Sequence, residues 1–130
     1  MNSFKLFLTS LFFLSSINAQ PNVIIILTDD LGWGDVSYHG GSIPTPNIDM
    51  LVSKGVEMNR FYSDPSCSPT RASMLTGINS FANGVIRPFA NPRVESFGMP
   101  LEHKIMPEYF KEAGYETALS GKWHLGMSED

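Results

Sequence analysis

Residues 22–28 read NVIIILT, and Asp29 and Asp30 follow at once. The run is almost continuously apolar and rich in β-branched residues, with Pro21 before it and Gly32 closing the acidic pair. Such a run suits a parallel strand covered on both faces, because a strand with one wet face would alternate apolar and polar residues. Working outward, Gly32, Gly34, Gly40 and Gly41 punctuate residues 31–43 as loop. Thr45 then caps a helix with Pro46 at its first position, Ile48, Leu51 and Val52 form its buried stripe, and Gly55 ends it. Residues 56–62 read as a second strand, and residues 69–75 as a helix stopped by Gly77. Ile105, Met106, Tyr109, Phe110 and Ala113 share one face of a further helix that Gly114 stops, and residues 115–120 form a short strand. This order argues for an α/β fold, a mostly parallel sheet with helices on both faces.

The first 19 residues, MNSFKLFLTSLFFLSSINA, read as a signal peptide, with Lys5 as the positive flank and Ala19 at the cleavage position. The apolar run falls short of about 20 residues and is broken by Thr9, Ser10, Ser15 and Ser16, so no stable membrane anchor is expected. The secretory route delivers a chain to an oxidising space where structural cysteines come in pairs, yet Cys67 is the only cysteine. A net charge of -4 with singly scattered Lys and Arg gives no footprint for nucleic acid. No repeat, low-complexity tract or N-glycosylation acceptor is present, and the sequence closes on GKWHLGMSED without a closing element, which reads as a fragment.

Three polar clusters could carry chemistry. Asp29 and Asp30 at a strand end are adjacent carboxylates, which suit a hard cation such as Ca²⁺ or Mg²⁺ and equally fit a polar turn. Cys67 lies at or just before a helix N-terminus, with Arg71 one turn along. There the helix dipole lowers a thiol pKa and the guanidinium can hold an oxyanion; a buried inert cysteine, or a disulfide to a segment outside this chain, equally fits. Lys122 and His124, two apart after Gly121, would point the same way in an extended loop, and equally fit a surface lysine beside a half-buried histidine. Trp33, Trp123 and Leu125 read as rim packing. Together these groups describe a site for an oxyanionic ester helped by a divalent cation.

Two of the stretches carry a resemblance. CSPTRASMLTG, from Cys67 to Gly77, resembles the type I sulfatase signature, and GYETALSGKWH, from Gly114 to His124, resembles that family's second signature. NVIIILTDDLGWGDVSYHG and PTPNIDMLVSKGVEMNRFY are similar to the family's opening segments. Thr70 stands where the most familiar signature has serine and keeps the hydroxyl.

The resemblance implies an alkaline-phosphatase-like fold, incomplete here, with residues 20–130 as the N-terminal portion of an arylsulfatase B-like catalytic domain. It makes Asp29, Asp30 and Cys67 metal ligands, the ion being Ca²⁺ or Mg²⁺. Cys67 would become formylglycine through a formylglycine-generating enzyme, with Arg71, Lys122 and His124 as the other catalytic residues. The hydrated aldehyde would attack the sulfur of a sulfated small molecule or glycan and then expel sulfate. Lysosomal, extracellular and periplasmic destinations all fit, and specificity is expected in residues 38–42 and 87–95. Since further ligands of the family lie beyond residue 130, the chain alone is expected to be inactive. The alternatives are a noncatalytic truncated secreted paralogue and a phosphatase or phosphonate hydrolase of the same fold.

Overall fold

A strand is stable only beside another strand that completes its backbone hydrogen bonds, and that condition decides the architecture. The computed structural model describes residues 20–89 and 98–126, and among them no strand forms. The expected α/β fold, a mostly parallel alkaline-phosphatase-like sheet, is therefore corrected to an all-helical arrangement. Residues 22–28 take no regular secondary structure and enter no ladder among the described residues, with Ile24 84% and Ile26 78% exposed. Residues 56–62 and 115–120 likewise form no ladder, and Val56, Phe61, Tyr62 and Leu119 face outward. Apolar composition marks a segment that would be buried in a sheet, but it does not supply the neighbours. The signal-peptide reading of residues 1–19, and most of the specificity segment 87–95, lie outside the described residues.

The chain divides into two units, Met1–Asp30 and Leu31–Asp130. In the first, the described part is residues 20–30, without regular secondary structure and ending at Asp30 with a left-handed φ of 58°. Among the described residues the second holds four α-helices: α1 Pro46–Lys54, α2 Cys67–Thr76, α3 Ser80–Asn83 and α4 Met106–Glu112. Short 3₁₀ turns cover Trp33–Asp35 and Ser37–His39, within the stretch expected to be loop. No helix among the described residues is long and apolar enough to cross a membrane.

Helix α1 begins at Pro46 after Thr45 and closes at Gly55, as the sequence predicts. Its entry is fixed less by an N-cap bond than by a polar knot. Thr45 Oγ1 accepts from the Ser37 N–H at 2.9 Å and donates to Asp49 Oδ1 at 3.0 Å, while Ser37 Oγ donates to Asp49 Oδ2 at 2.7 Å. The expected buried stripe is not formed, since Leu51 is 60% exposed. Beside this knot His39 stacks on Trp33 with ring centroids 3.6 Å apart, and its Nε2 lies 2.7 Å from Glu57 Oε1.

Apolar burial concentrates on α2. Ala72 and Leu75 from α2 join Val85, Met99 and Leu125 in one cluster, with Met74, Phe89, Ile105 and Met106 against it. Gly77 ends α2 in the left-handed region at φ 69°, and its N–H donates to Ser73 O. Helix α3, absent from the sequence reading, is started by Asn79, whose side chain accepts from Phe81 N–H. Helix α4 keeps its expected stop at Gly114, and Glu108 reaches back to the Ile105 N–H at 2.8 Å.

The segment that opens at Gly98 is tied to Leu125 by a backbone bond, Met99 N–H to Leu125 O at 2.9 Å. The two backbones approach so closely that a Cβ at Gly126, where φ is +116°, would sit 2.5 Å from Gly98 Cα. Replacing Gly126→Ala is expected to cost about 2 kcal/mol or more, because it adds a backbone clash to a disfavoured dihedral. Urea unfolding followed by far-UV circular dichroism measures it, and a midpoint equal to that of the unaltered chain would refute the close crossing.

Candidate functional site

The site is built where α2 starts. Ser66 is its N-cap, and Cys67, Ser68 and Pro69 form the first turn, so the helix begins two residues before the expected Pro69. Proline fits any first-turn position because the N–H it lacks would find no partner inside the helix. Cys67 is thus the first helical residue, half-buried, and no disulfide engages it.

His124 is brought to Cys67 across 57 residues of sequence, with Nδ1 3.2 Å from Sγ. The other ring nitrogen, Nε2, lies 3.0 Å from the Phe89 carbonyl oxygen. A carbonyl only accepts, so Nε2 carries the hydrogen, and Nδ1 either accepts from the thiol or, in the imidazolium, donates to a thiolate. His124 sits at φ 56°, a left-handed value that is uncommon for histidine. That turn, with Gly121 at φ 109°, replaces the extended loop in which Lys122 and His124 were expected to point alike.

Buried polar bonds hold this arrangement. Ser68, fully buried, donates from Oγ to His124 O at 2.8 Å and accepts from Phe89 N–H at 3.3 Å. Arg71, 9% exposed, donates from Nη1 to Lys122 O at 2.6 Å. The guanidinium therefore positions the 121–126 loop through its backbone, and Lys122 joins the cluster by its carbonyl. Cys67, Arg71, Lys122 and His124 are thus gathered in one place. Leu125, expected at the rim, is core at 3% exposure, whereas Trp33 is 62% exposed.

Asp64 and Ser68 escaped the sequence reading. Asp64 takes Ser80 Oγ on Oδ1 at 2.5 Å and Ser73 Oγ on Oδ2 at 2.9 Å, and its backbone carbonyl accepts from Thr70 Oγ1 at 2.9 Å. One carboxylate thereby ties the loop before Cys67 to both α2 and α3. The signal was present as hydroxyl residues at 70, 73 and 80 around a single acid. The contact itself depends on the helix that sequence did not show.

Among the described residues, no three His, Cys, Asp or Glu residues that could hold a metal come together. Together with the missing sheet, this overturns the expected hydrolysis through a formylglycine derived from Cys67.

Comparison with known proteins supplies the lineage. The sulfatase family model matches residues 21–130. Mouse arylsulfatase J is 40% identical over 109 residues, covering 84% of this chain and 18% of that protein. Rat arylsulfatase G is 44% identical over 109 residues, covering 82% and 20%, and human N-acetylgalactosamine-6-sulfatase is 40% identical over 114 residues, covering 82% and 22%. The chain belongs to the sulfatase family, and it spans about a fifth of the length of these relatives.

Asp64→Ala is expected to destabilise the chain by about 2 kcal/mol, since it strips two hydroxyls of their acceptor. Asp64→Asn, which keeps one oxygen, should lose roughly half as much. Thermal and urea unfolding of both variants measure the difference, and equal stability in all three chains would refute the clamp.

Proposed function

We propose that this chain by itself is a noncatalytic member of the sulfatase family, a secreted paralogue that keeps an anion-facing cluster without the hydrolytic reaction. The observation that carries this reading is the absence, among the described residues, of any three-ligand group that could hold a metal. Opposing the charge on a transferring sulfuryl group is the greater part of such chemistry, and a cation is the usual means. What remains is the start of α2 with Cys67, Arg71, Lys122 and His124 around it. In this proposal Arg71 keeps the loop in place and His124 stays bound to Cys67 and Phe89, while the Lys122 ammonium meets an oxyanion.

The ligand class is a sulfated small molecule or glycan. Its support is the family itself, among whose members are proteins named arylsulfatase and N-acetylgalactosamine-6-sulfatase. Residues 20–130 correspond in this reading to the N-terminal portion of a sulfatase catalytic domain, supported by the family match from residue 21. Residues 1–19 serve as the signal that places the chain on the secretory route, supported by their composition. Within a longer chain, the formylglycine-generating enzyme would be a maturation partner.

The purified chain is expected to release no 4-nitrophenol from 4-nitrophenyl sulfate or 4-nitrophenyl phosphate above the buffer rate, with Ca²⁺ or Mg²⁺ present. Titration calorimetry with 4-nitrophenyl sulfate is expected to show saturable binding that Lys122→Ala weakens about tenfold. Metal-dependent turnover of the sulfate ester would overturn the noncatalytic reading, and turnover of the phosphate ester would favour a phosphatase. Binding indifferent to Lys122→Ala would remove the anion-facing cluster.

A further inference from the structure

His39 takes part in no bond that the cluster around Cys67 uses. Its side chain is 12% exposed and lies between two oxygens, with Nδ1 2.9 Å from the Trp33 carbonyl oxygen and Nε2 2.7 Å from Glu57 Oε1. A neutral imidazole carries one N–H, and a carbonyl or an ionised carboxylate only accepts. The two contacts together therefore need one proton more than a neutral ring and an ionised glutamate supply. The ring also stacks on Trp33, with centroids 3.6 Å apart and planes at 18°, the position a cation takes over an indole face. The ionisable groups around it are acids. Tyr38, in the same turn, has its ring 3.9 Å away, and its phenol is held above the ordinary range first by burial and then by the Glu57 and Asp49 carboxylates. Asp49 on α1 accepts from Ser37 and Thr45, and Asp35 in the preceding turn accepts from the Gly32 N–H at 2.7 Å.

We propose that His39 and Glu57 form an acid-closed latch, an imidazolium that pins the segment after α1 to the turns at residues 33–39. Closing places a proton from solvent on the ring, so that Nδ1–H donates to Trp33 O while Nε2–H donates to the ionised Glu57. Loss of that proton leaves a single N–H. It can serve Trp33 O or Glu57 but not both, and at the other contact two lone pairs face each other. The closed form holds more protons than the open one, so the latch weakens as pH rises through the titration of the ring. Its place in the fold is specific. Ser37 is knotted to Thr45 and Asp49 at the start of α1, and Glu57 follows the end of that helix at Lys54. Knot and latch thus hold both ends of α1 to one turn, and only the latch depends on a histidine.

Two-bond ¹H–¹⁵N correlation spectra of the histidine rings in the full chain, with the His39 signals assigned through its backbone, test the latch. At about pH 6 both ring nitrogens of His39 are expected to carry hydrogen, and at about pH 8.5 one is expected to have lost it. Urea unfolding over the same range gives the energetic readout. Glu57→Gln keeps the shape of the partner, and its amide can donate to a ring nitrogen that has no hydrogen, so this variant holds the contact without the extra proton. Relative to Glu57→Gln, the unaltered chain is expected to lose about fivefold in its folding constant between about pH 6 and about pH 8.5. A contact with no part for the proton would give parallel profiles. Far-UV circular dichroism shows whether the variant keeps its helices, and if it does not, the ring spectra of the unaltered chain carry the decision. A bare nitrogen on His39 at about pH 6, or parallel stability profiles, would each overturn the proposal.

Discussion

The hydroxyl of Ser68 is the constraint on which the rest of the second unit depends. It is fully buried, and a buried hydroxyl without partners is costly, so the segments that satisfy it cannot drift apart. Those segments are the loop carrying His124, through its carbonyl, and the chain at Phe89, through its N–H. Both return to the same histidine, since Phe89 O meets Nε2 while Nδ1 meets the sulfur of Cys67. The helix start, the loop and the chain at Phe89 thus form a closed circuit of polar bonds beside the apolar cluster of Ala72, Leu75, Val85, Met99 and Leu125. Packing alone sets no direction; the circuit sets the orientation of the ring.

Much of the helical structure was legible in the sequence because helix ends carry local chemistry. Thr45 with Pro46 opened α1 and Gly55 closed it, Gly77 closed α2, and Gly114 marked the stop of α4. The start of α2 was misplaced by two residues because proline was read as the first helical position, although its missing N–H suits the third equally well. Helix α3 is a single turn whose only signal was Asn79, too brief for any periodicity. The strands failed for a different reason. An apolar run states what it would bury and not whether a partner exists, and residues 22–28 found none among the described residues.

The site divides along the same line. Cys67 at a helix start beside Arg71 was readable from spacing, because both lie on one element. The meeting of Cys67 with His124 was not, since it depends on a left-handed turn at the histidine and on bonds that span more than fifty residues. The geometry adds that Arg71 acts on the backbone of Lys122, and that Asp64 fixes the loop from which the cysteine emerges.

The crossing of Gly98 and Gly126 bears on that site by position. His124 lies two residues before Gly126, and Leu125 between them is held both by its carbonyl, to Met99, and by its burial. With no side chain at either glycine, the two backbones meet almost without clearance, and the histidine inherits the tightness of that fit. Alignment of the ring with the sulfur is therefore a question of mechanical tolerance, set by a hinge with very little play on the far side of the leucine.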